Sequence, residues 1–402
     1  MQAGAEFGRR RFDRAQGQTA AAPSPKPLTF EALAVARPDV AGGPYATIGL
    51  LVLLILVFMG QEHFTLGSGL SYAFSERSML ALGGSGRAWV DAGDWWRVFT
   101  APMLHANLGH LIGNGVALVL AGLLLERLIG WAWFLATYVA GGLGGELMSL
   151  QLQDPHAVGM GASGAIMGLL AATLVCSLHA GAKGRRGRMR LLALRVMIPA
   201  LLPLAGDSAS HGLQISYSAH FGGALAGAAM GVLINTVWLN DDEKPILRPV
   251  AAAMGLAGLL AATASFGVVA THYPAYQAVN ATLAPDGLLP TDDEPGAQAV
   301  AGLAARFPND PRVHLMQALA EERDGRYGAA DDELRTALTE RSQLALLGPE
   351  LEPIIRLVLV GTLLSERRLD DAKSEAAPIC GHHFLQQNLN DYLAKAPVCP
   401  AA

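Results

Sequence analysis

The chain has 402 residues, of which 51% are hydrophobic and only 16% are charged, and its formal net charge is −5. Soluble domains usually carry about 25% charged residues, so this composition excludes a disordered chain and favours a membrane protein. Three cysteines are too few for a disulfide-rich secreted scaffold. The mild acidic charge gives no reason to expect nucleic acid as a partner.

The charges divide the chain into two parts. Residues 273–402 hold 19 of the 34 acidic residues but only 11 of the 29 basic ones, whereas residues 1–272 carry a small positive excess. The second part also lacks an apolar run of bilayer length, which takes about 20 residues in a helix. We therefore expect an all-α polytopic membrane domain followed by a small, acidic, soluble α-helical domain.

Seven apolar segments have roughly the length of a membrane-spanning helix. They lie at residues 44–60, 104–125, 131–151, 160–178, 191–206, 217–238 and 249–271. The flexible N-terminal tail at residues 1–43 and the loop between the fourth and fifth segments are rich in arginine, so the positive-inside rule places both in the cytoplasm. The first six spans then form a core at residues 44–240, and the seventh exports the soluble domain at residues 273–402.

The second, fourth and sixth segments run inward from the outer face, and each opens with polar residues. His110 and Asn114 open the second segment, Ser163 opens the fourth, and His220 opens the sixth. At about 1.5 Å of rise per residue, these side chains lie at one depth, a few residues inside the outer face. Polar side chains within a membrane are costly and indicate function.

Glycines predict which of these helices touch. Gly164 and Gly168 are four residues apart on the fourth segment, as are Gly223 and Gly227 on the sixth. Small residues at this spacing let membrane helices approach closely. His220 lies on the glycine face of its own helix, so packing along these faces carries it toward the start of the fourth helix.

A serine beside a histidine is a candidate nucleophile with its base. His110 and Asn114 share a helical face and can both donate hydrogen bonds to a developing oxyanion. Taken singly, Ser163 is more often a small packing residue and His220 a core histidine bonded to a carbonyl. Their common depth favours the chemical interpretation.

These motifs resemble the rhomboid family of intramembrane serine proteases over about residues 44–240. The resemblance is carried by Trp96-Arg97, His105…His110…Asn114, Glu126, Gly161-Ala-Ser163-Gly164 and Ala219-His220-Phe-Gly222-Gly223…Gly227. It implies a bundle of six transmembrane helices with a Ser163–His220 dyad and no catalytic aspartate. It also implies an oxyanion site formed by His110, Asn114 and the Ser163 backbone amide, with no cofactor.

The remaining motif residues have supporting roles in this interpretation. Met167 stands where family members often have an aromatic residue against the histidine, and its thioether can pack there instead. We expect His105 to support the loop or the site rather than bind a metal. Glu126 and Arg127 should hold the cytoplasmic end of span two, and the Trp96-Arg97 pair should anchor the first loop at the membrane interface.

The predicted function is that of a serine endopeptidase that cleaves transmembrane segments near their extracytoplasmic end, with membrane proteins and the lipid bilayer as its partners. The alternative is an inactive rhomboid-like protein that binds or retains client helices, although such relatives typically lack the serine or the histidine. A transporter is less favoured, because the spans show no inverted repeat. A seventh span behind the core favours a bacterial inner membrane, with the N-terminus cytoplasmic and the C-terminus outside.

Part of the exported tail resembles a tetratricopeptide unit. One helix ends over Ala301–Phe307, a second begins at Asn309-Asp-Pro311 and runs to Asp324-Gly325, and a third begins near Tyr327. A weaker echo follows 42 residues later, at Arg368. Since a stable solenoid needs about three repeats, a small bundle for a protein partner and a simple spacer or stabilising cap are equally favoured.

Two cysteines, Cys380 and Cys399, lie in the exported tail, whereas Cys176 lies in span four. In an oxidising compartment the first two can form a disulfide that closes the last helix. A zinc site made with His382 and His383 is the alternative, and we favour the disulfide.

Overall fold

In the computed structural model of the protein, residues 43–66, 74–152, 157–202, 216–240, 243–290, 297–348, 350–382, 384 and 387–399 are described. The first part contains α1 (Tyr45–His63), α2 (Glu76–Ala81), α3 (Arg87–Asp91), α4 (Arg97–Thr100), α5 (Leu108–Ile129), α6 (Trp131–Leu152), α7 (Ser163–Cys176), α8 (Arg186–Leu201), α9 (Tyr217–Thr236) and α10 (Arg248–Asn280). The tail contains α11 (Ala297–Arg306), α12 (Pro311–Arg323), α13 (Tyr327–Thr339), α14 (Arg341–Leu347), α15 (Leu351–Ser365), α16 (Leu369–Ala376) and α17 (Gln387–Lys395).

Each of the seven predicted spans overlaps one of these helices, so the all-α prediction is confirmed. Among the described helices, α1, α5, α9 and α10 are long and apolar enough to cross a membrane, and α7 is a shorter apolar helix of 14 residues. The predicted N-terminal tail lies outside the described residues up to residue 42.

Two predicted helix starts are wrong. The second span was expected from residue 104, but residues 101–103 form a separate 3-10 turn, and α5 begins at Leu108 behind Asn107, whose side chain caps it. The fifth span was expected from residue 191, but α8 begins at Arg186, because arginine is a good helix former and continues the apolar helix into the basic loop.

Glycines hold α7 and α9 in direct backbone contact. A Cβ atom added at Gly223 would overlap the carbonyl oxygen of Gly164, and one added at Gly227 would overlap that of Gly168. No other residue fits these positions without separating the helices. The contact places the first turns of α7 and α9 beside each other.

A third helix, α6, joins this contact through glycines that the sequence analysis did not use. A Cβ atom at Gly141 would lie 3.0 Å from the Cα atom of Gly168, and one at Gly145 would lie 2.8 Å from the Ala219 carbonyl oxygen. The centre of the membrane domain is therefore built by close approach of α6, α7 and α9.

Glu126 was expected to act with Arg127 at the end of span two, but it reaches the start of the first helix instead. Its carboxylate is 1% exposed and accepts hydrogen bonds from the amides of Ala46 and Thr47 and from the Thr47 hydroxyl, at 2.8, 2.9 and 2.6 Å. The first amides of a helix lack partners within it. Glu126 supplies them for α1, so α1 and α5 are joined at this end.

Replacing Glu126 by alanine should lower the free energy of unfolding by about 3 kcal/mol, because it leaves two buried donors and one half-buried donor without their charged acceptor. Denaturant unfolding of the detergent-solubilised chain measures the loss. Glu62→Ala is the matched control, since Glu62 is an exposed carboxylate on α1 and its removal should cost less than about 0.5 kcal/mol. Equal stabilities for the two variants would contradict the capping role.

The seventh helix is longer than predicted. α10 spans 33 residues and continues nine residues past the expected end at residue 271. Along its membrane part it packs closely on α6, where a Cβ atom at Gly258 would meet the side chain of Val139. Its extension carries Tyr276 and Asn280, which hydrogen-bond to Arg97 and Arg77 in the segment between α1 and α5.

The tail helices begin and end where the pattern predicts. Asp310 caps α12 through its side chain, α12 ends at Arg323, and α13 begins at Tyr327 after Gly325 adopts a positive φ of 73°. The echo predicted near Arg368 also starts a helix, since α16 begins at Leu369. The tetratricopeptide interpretation itself stays a prediction.

A disulfide and an apolar contact hold the tail in place. Cys380 and Cys399 form a disulfide with their Cα atoms 5.6 Å apart, and it closes the segment that contains α17. Leu283 and Leu346 of the tail pack in one cluster with Ala81 of α2. The soluble part thus rests against the first loop of the membrane part.

Candidate active site

A cavity of about 870 Å³ lies beside the first turns of α5, α7 and α9. Its wall includes Ser163, His220, His110 and Asn114, the four residues predicted to carry the chemistry. The first turns of α5, α7 and α9 each contribute residues to this wall. The fold therefore brings the four side chains to one cavity.

Ser163 is the first residue of α7, and its side chain is half-buried at the cavity wall. It follows Gly161, whose φ of +120° is a conformation that favours glycine. The Gly161 amide donates to the Ala101 carbonyl at 2.9 Å. This turn presents the serine at the positive end of the helix dipole, where negative charge is stabilised.

His220 lies in the first turn of α9 and is 7% exposed. Its Nδ1 atom is 2.7 Å from the carbonyl oxygen of Ala200 in α8. A carbonyl oxygen can only accept, so Nδ1 carries the proton in this hydrogen bond and Nε2 of the neutral ring keeps its lone pair. The contact orients the ring and makes Nε2 the basic nitrogen.

No hydrogen bond joins Ser163 to His220 among the described residues. The pairing of a nucleophile with its base predicts that Ser163 Oγ lies within hydrogen-bond reach of a His220 ring nitrogen. Among the described residues, the His220 ring has its hydrogen-bond partner in the Ala200 carbonyl, at 2.7 Å. Catalytic hydrogen bonds are often long in unliganded enzymes and shorten only with substrate bound, so the arrangement is compatible with a dyad.

His110 and Asn114 face the turn that precedes Ser163. The position of a Cβ atom on Gly161 would lie 3.0 Å from His110 Nε2 and 3.7 Å from Asn114 Nδ2. Asn114 is 7% exposed, and its Nδ2 donor has no hydrogen-bond partner among the described residues. Two side-chain nitrogens therefore lie against the turn that leads into Ser163.

His105 lies behind the cavity rather than on its wall. Its ring is fully buried and meets the ring of His110 edge to face, with the centroids 5.2 Å apart. Gln61 holds its backbone through two hydrogen bonds of 3.0 Å. The contact supports His110, and no group of three metal-ligating residues occurs within the part of the chain that the structure describes.

Arg97 is a buried brace of the first loop, and Trp96 lies half-buried beside it. The anchoring of this pair at the membrane interface stays a prediction. The Arg97 side chain is fully buried and donates to the carbonyls of Leu80 and Gly84 at 2.7 and 2.9 Å. It also donates to the Tyr276 hydroxyl of α10 at 3.0 Å, and the Trp96 ring lies 4.4 Å from its guanidinium carbon. Arg97 thereby holds the first loop together and ties it to the seventh helix.

Met167 lies one helical turn after Ser163 and is buried in α7. Its packing against His220 stays a prediction. Span five and the loop at residues 207–217 are the lateral neighbours of span six in the sequence, which predicts a substrate gate there. The loop lies outside the described residues up to residue 215.

The sequence motifs did not indicate two features of the cavity. Glu146 on α6 lines the cavity, although a lone carboxylate in an apolar span is a signal that sequence inspection can find. The Ala200 carbonyl that orients His220 has no such signal, because every residue carries a backbone carbonyl.

Comparison with known proteins matches residues 92–236 to the Rhomboid domain family. The chain is 32% identical over 211 residues to rhomboid protease AarA of Providencia stuartii, covering 46% of this chain and 71% of that protein. It is 28% identical over 238 residues to rhomboid protease GluP of Bacillus subtilis, covering 59% and 42%. It is 34% identical over 158 residues to RHOMBOID-like protein 5 of Arabidopsis thaliana, covering 39% and 50%. The chain spans about half the length of the last two relatives.

The matched region contains the four cavity residues that are predicted to carry the chemistry. The similarity to AarA extends over more than two thirds of that protein. Together with the apolar helices, it identifies an integral, multi-pass membrane protein. The chain belongs to the rhomboid family of intramembrane serine proteases.

Proposed function

We propose that this chain is an active intramembrane endopeptidase in which Ser163 is the nucleophile and His220 is its base. The observation that carries the proposal is the common cavity of the two residues, with His220 held by the Ala200 carbonyl so that Nε2 is the basic nitrogen. A serine needs such a base because its hydroxyl is a weak nucleophile at neutral pH.

The reaction follows from these positions. Ser163 attacks the scissile carbonyl while His220 Nε2 takes its proton, and the oxyanion receives hydrogen bonds from His110, Asn114 and the Ser163 amide. His220 then protonates the leaving amine, and a water molecule, deprotonated by the same nitrogen, hydrolyses the acyl-enzyme. Ala200 replaces the orienting carboxylate of a triad with a neutral acceptor.

The proposed substrates are transmembrane helices of other membrane proteins. A helical segment hides its carbonyls in hydrogen bonds, so cleavage should require helix-breaking residues near its outer end. We propose that α8 forms the gate. In support, α8 packs against α5, α7 and α9, whose first turns line the cavity. In contrast, α10 packs against α6 and the first loop.

The proposed location is a bacterial inner membrane, with the N-terminus in the cytoplasm and the tail outside. The basic residues before α1 and between α7 and α8 support this orientation through the positive-inside rule. A disulfide in the tail suits an oxidising extracytoplasmic compartment. A protein partner for the tail stays a prediction from its repeat pattern.

Reconstituted proteoliposomes test the proposal. The purified chain should cleave a model transmembrane substrate that carries glycine or proline near its outer end, and mass mapping of the fragments should place the cut within the outer part of that helix. Prior treatment with a fluorophosphonate should abolish the cut. Binding of the substrate without any fragments would contradict the proposal and support the inactive, client-binding alternative.

A further inference from the structure

Glu146 is an ionisable residue of a membrane helix that the proposed mechanism does not use. It lies near the end of α6, is 5% exposed, and lines the cavity that contains Ser163. A buried carboxylate within a span is costly, so it persists where it has a specific partner or role.

The partner of Glu146 is Ser85 in the first loop. The Ser85 hydroxyl donates to Glu146 Oε2 at 2.6 Å, and both residues are buried. Ser85 also pairs with Gly159 through the backbone, with its amide donating to the Gly159 carbonyl at 3.0 Å and its carbonyl accepting from the Gly159 amide at 2.7 Å. The carboxylate thus fixes the residue that joins the first loop to the segment before α7.

That segment is short and closely packed at two glycines. A Cβ atom at Gly159 would lie 2.7 Å from Ser85 Oγ, and one at Gly161 would lie 2.8 Å from His110 Cε1. Three residues separate Gly159 from Ser163. A shift of the bridge is therefore passed to the Ser163 amide and to the contact with His110.

We propose that Glu146 is a positioning residue of the active site. By accepting the Ser85 hydrogen bond, it holds the Ser85–Gly159 bridge and keeps the Ser163 amide aligned with the donors of His110. The predicted effect of Glu146 on the rate of cleavage rests on the proposed function. Its predicted effect on the structure of the segment before α7 rests on the hydrogen bonds alone.

The kinetic test compares Glu146→Leu, Glu146→Gln, Ser85→Ala and the Glu146→Leu/Ser85→Ala double variant in proteoliposomes. Glu146→Leu should lower kcat about tenfold or more with KM nearly unchanged, since misalignment by about 1 Å costs on that order or more. Glu146→Gln keeps an acceptor oxygen and should recover most of the loss. The double variant should be no slower than Glu146→Leu, because both changes break one interaction.

Two kinetic outcomes would overturn the proposal. Multiplicative losses in the double variant would show that Glu146 and Ser85 act independently. A raised KM with unchanged kcat would show that Glu146 contacts substrate instead of positioning Ser163.

Hydrogen exchange measures the structural consequence without relying on cleavage. In Glu146→Leu, the amides of Gly159 and Gly161 should exchange faster than in the wild type, while the amides of Ala46 and Thr47, which Glu126 holds, should not change. Unchanged exchange at Gly159 would refute the positioning role. If the wild type fails to cleave, the proposed function fails, and exchange still decides whether Glu146 holds the segment.

Discussion

Replacing Ser163 by alanine should reduce cleavage of a transmembrane substrate by at least about 10⁴-fold, because the acyl-enzyme reaction then loses its nucleophile. His220→Ala should cost a similar factor, since the hydroxyl is not activated without its base. The two residues act as one unit, so the double variant should be no slower than the slower single variant. Initial rates in proteoliposomes measure all three.

The Ser163→Ala variant should remain folded. The Ser163 hydroxyl is half-buried and makes no hydrogen bond with a described residue, so its removal should change the free energy of unfolding by less than about 0.5 kcal/mol. Residual cleavage within tenfold of the wild-type rate, in a variant of normal stability, would exclude Ser163 as the nucleophile.

Replacing Gly227 by valine should disrupt both stability and activity. A Cβ atom there would overlap the carbonyl oxygen of Gly168. Because this oxygen belongs to the backbone and cannot rotate away as a side chain does, the helices α7 and α9 must separate. Overpacking of this kind costs ~3 kcal/mol or more. Since α7 carries Ser163 and α9 carries His220, separation should also lower the rate of cleavage at least about 100-fold.

Gly267→Val is the matched control for this substitution. Gly267 lies in α10, is exposed, and has nothing within 4 Å of an added Cβ atom. Thermal unfolding in detergent and initial rates in proteoliposomes should both stay near the wild-type values for the control. Normal activity of Gly227→Val would contradict the close contact of α7 and α9.

The arrangement of the cavity could be predicted because it depends on two strong sequence signals. Ser163, His110 and His220 are polar residues at one depth of apolar helices, and glycines four residues apart mark the faces that touch. The tail helices were predictable from local signals, since Asp310 is a capping residue and Gly325 ends a helix.

Other contacts could not be predicted because their partners are far apart in the sequence or belong to the backbone. Arg97 donates to the Tyr276 hydroxyl across 179 residues, and Glu126 reaches the amide of Thr47 across 79. His220 is oriented by a main-chain carbonyl in α8. No side-chain type in the sequence indicates such a contact. The predicted start of the second span was also wrong, since the length of an apolar segment does not distinguish a 3-10 turn from the helix that follows it.

The central claim is that Ser163 is a nucleophile activated by His220. Labelling the reconstituted chain with a fluorophosphonate, followed by peptide mapping of the adduct, tests it most directly. We predict a single adduct, on Ser163, and a labelling rate at least about 100-fold lower in His220→Ala, since a general base contributes about 10²–10⁴-fold. An adduct on another serine, or equal labelling rates with and without His220, would contradict the claim.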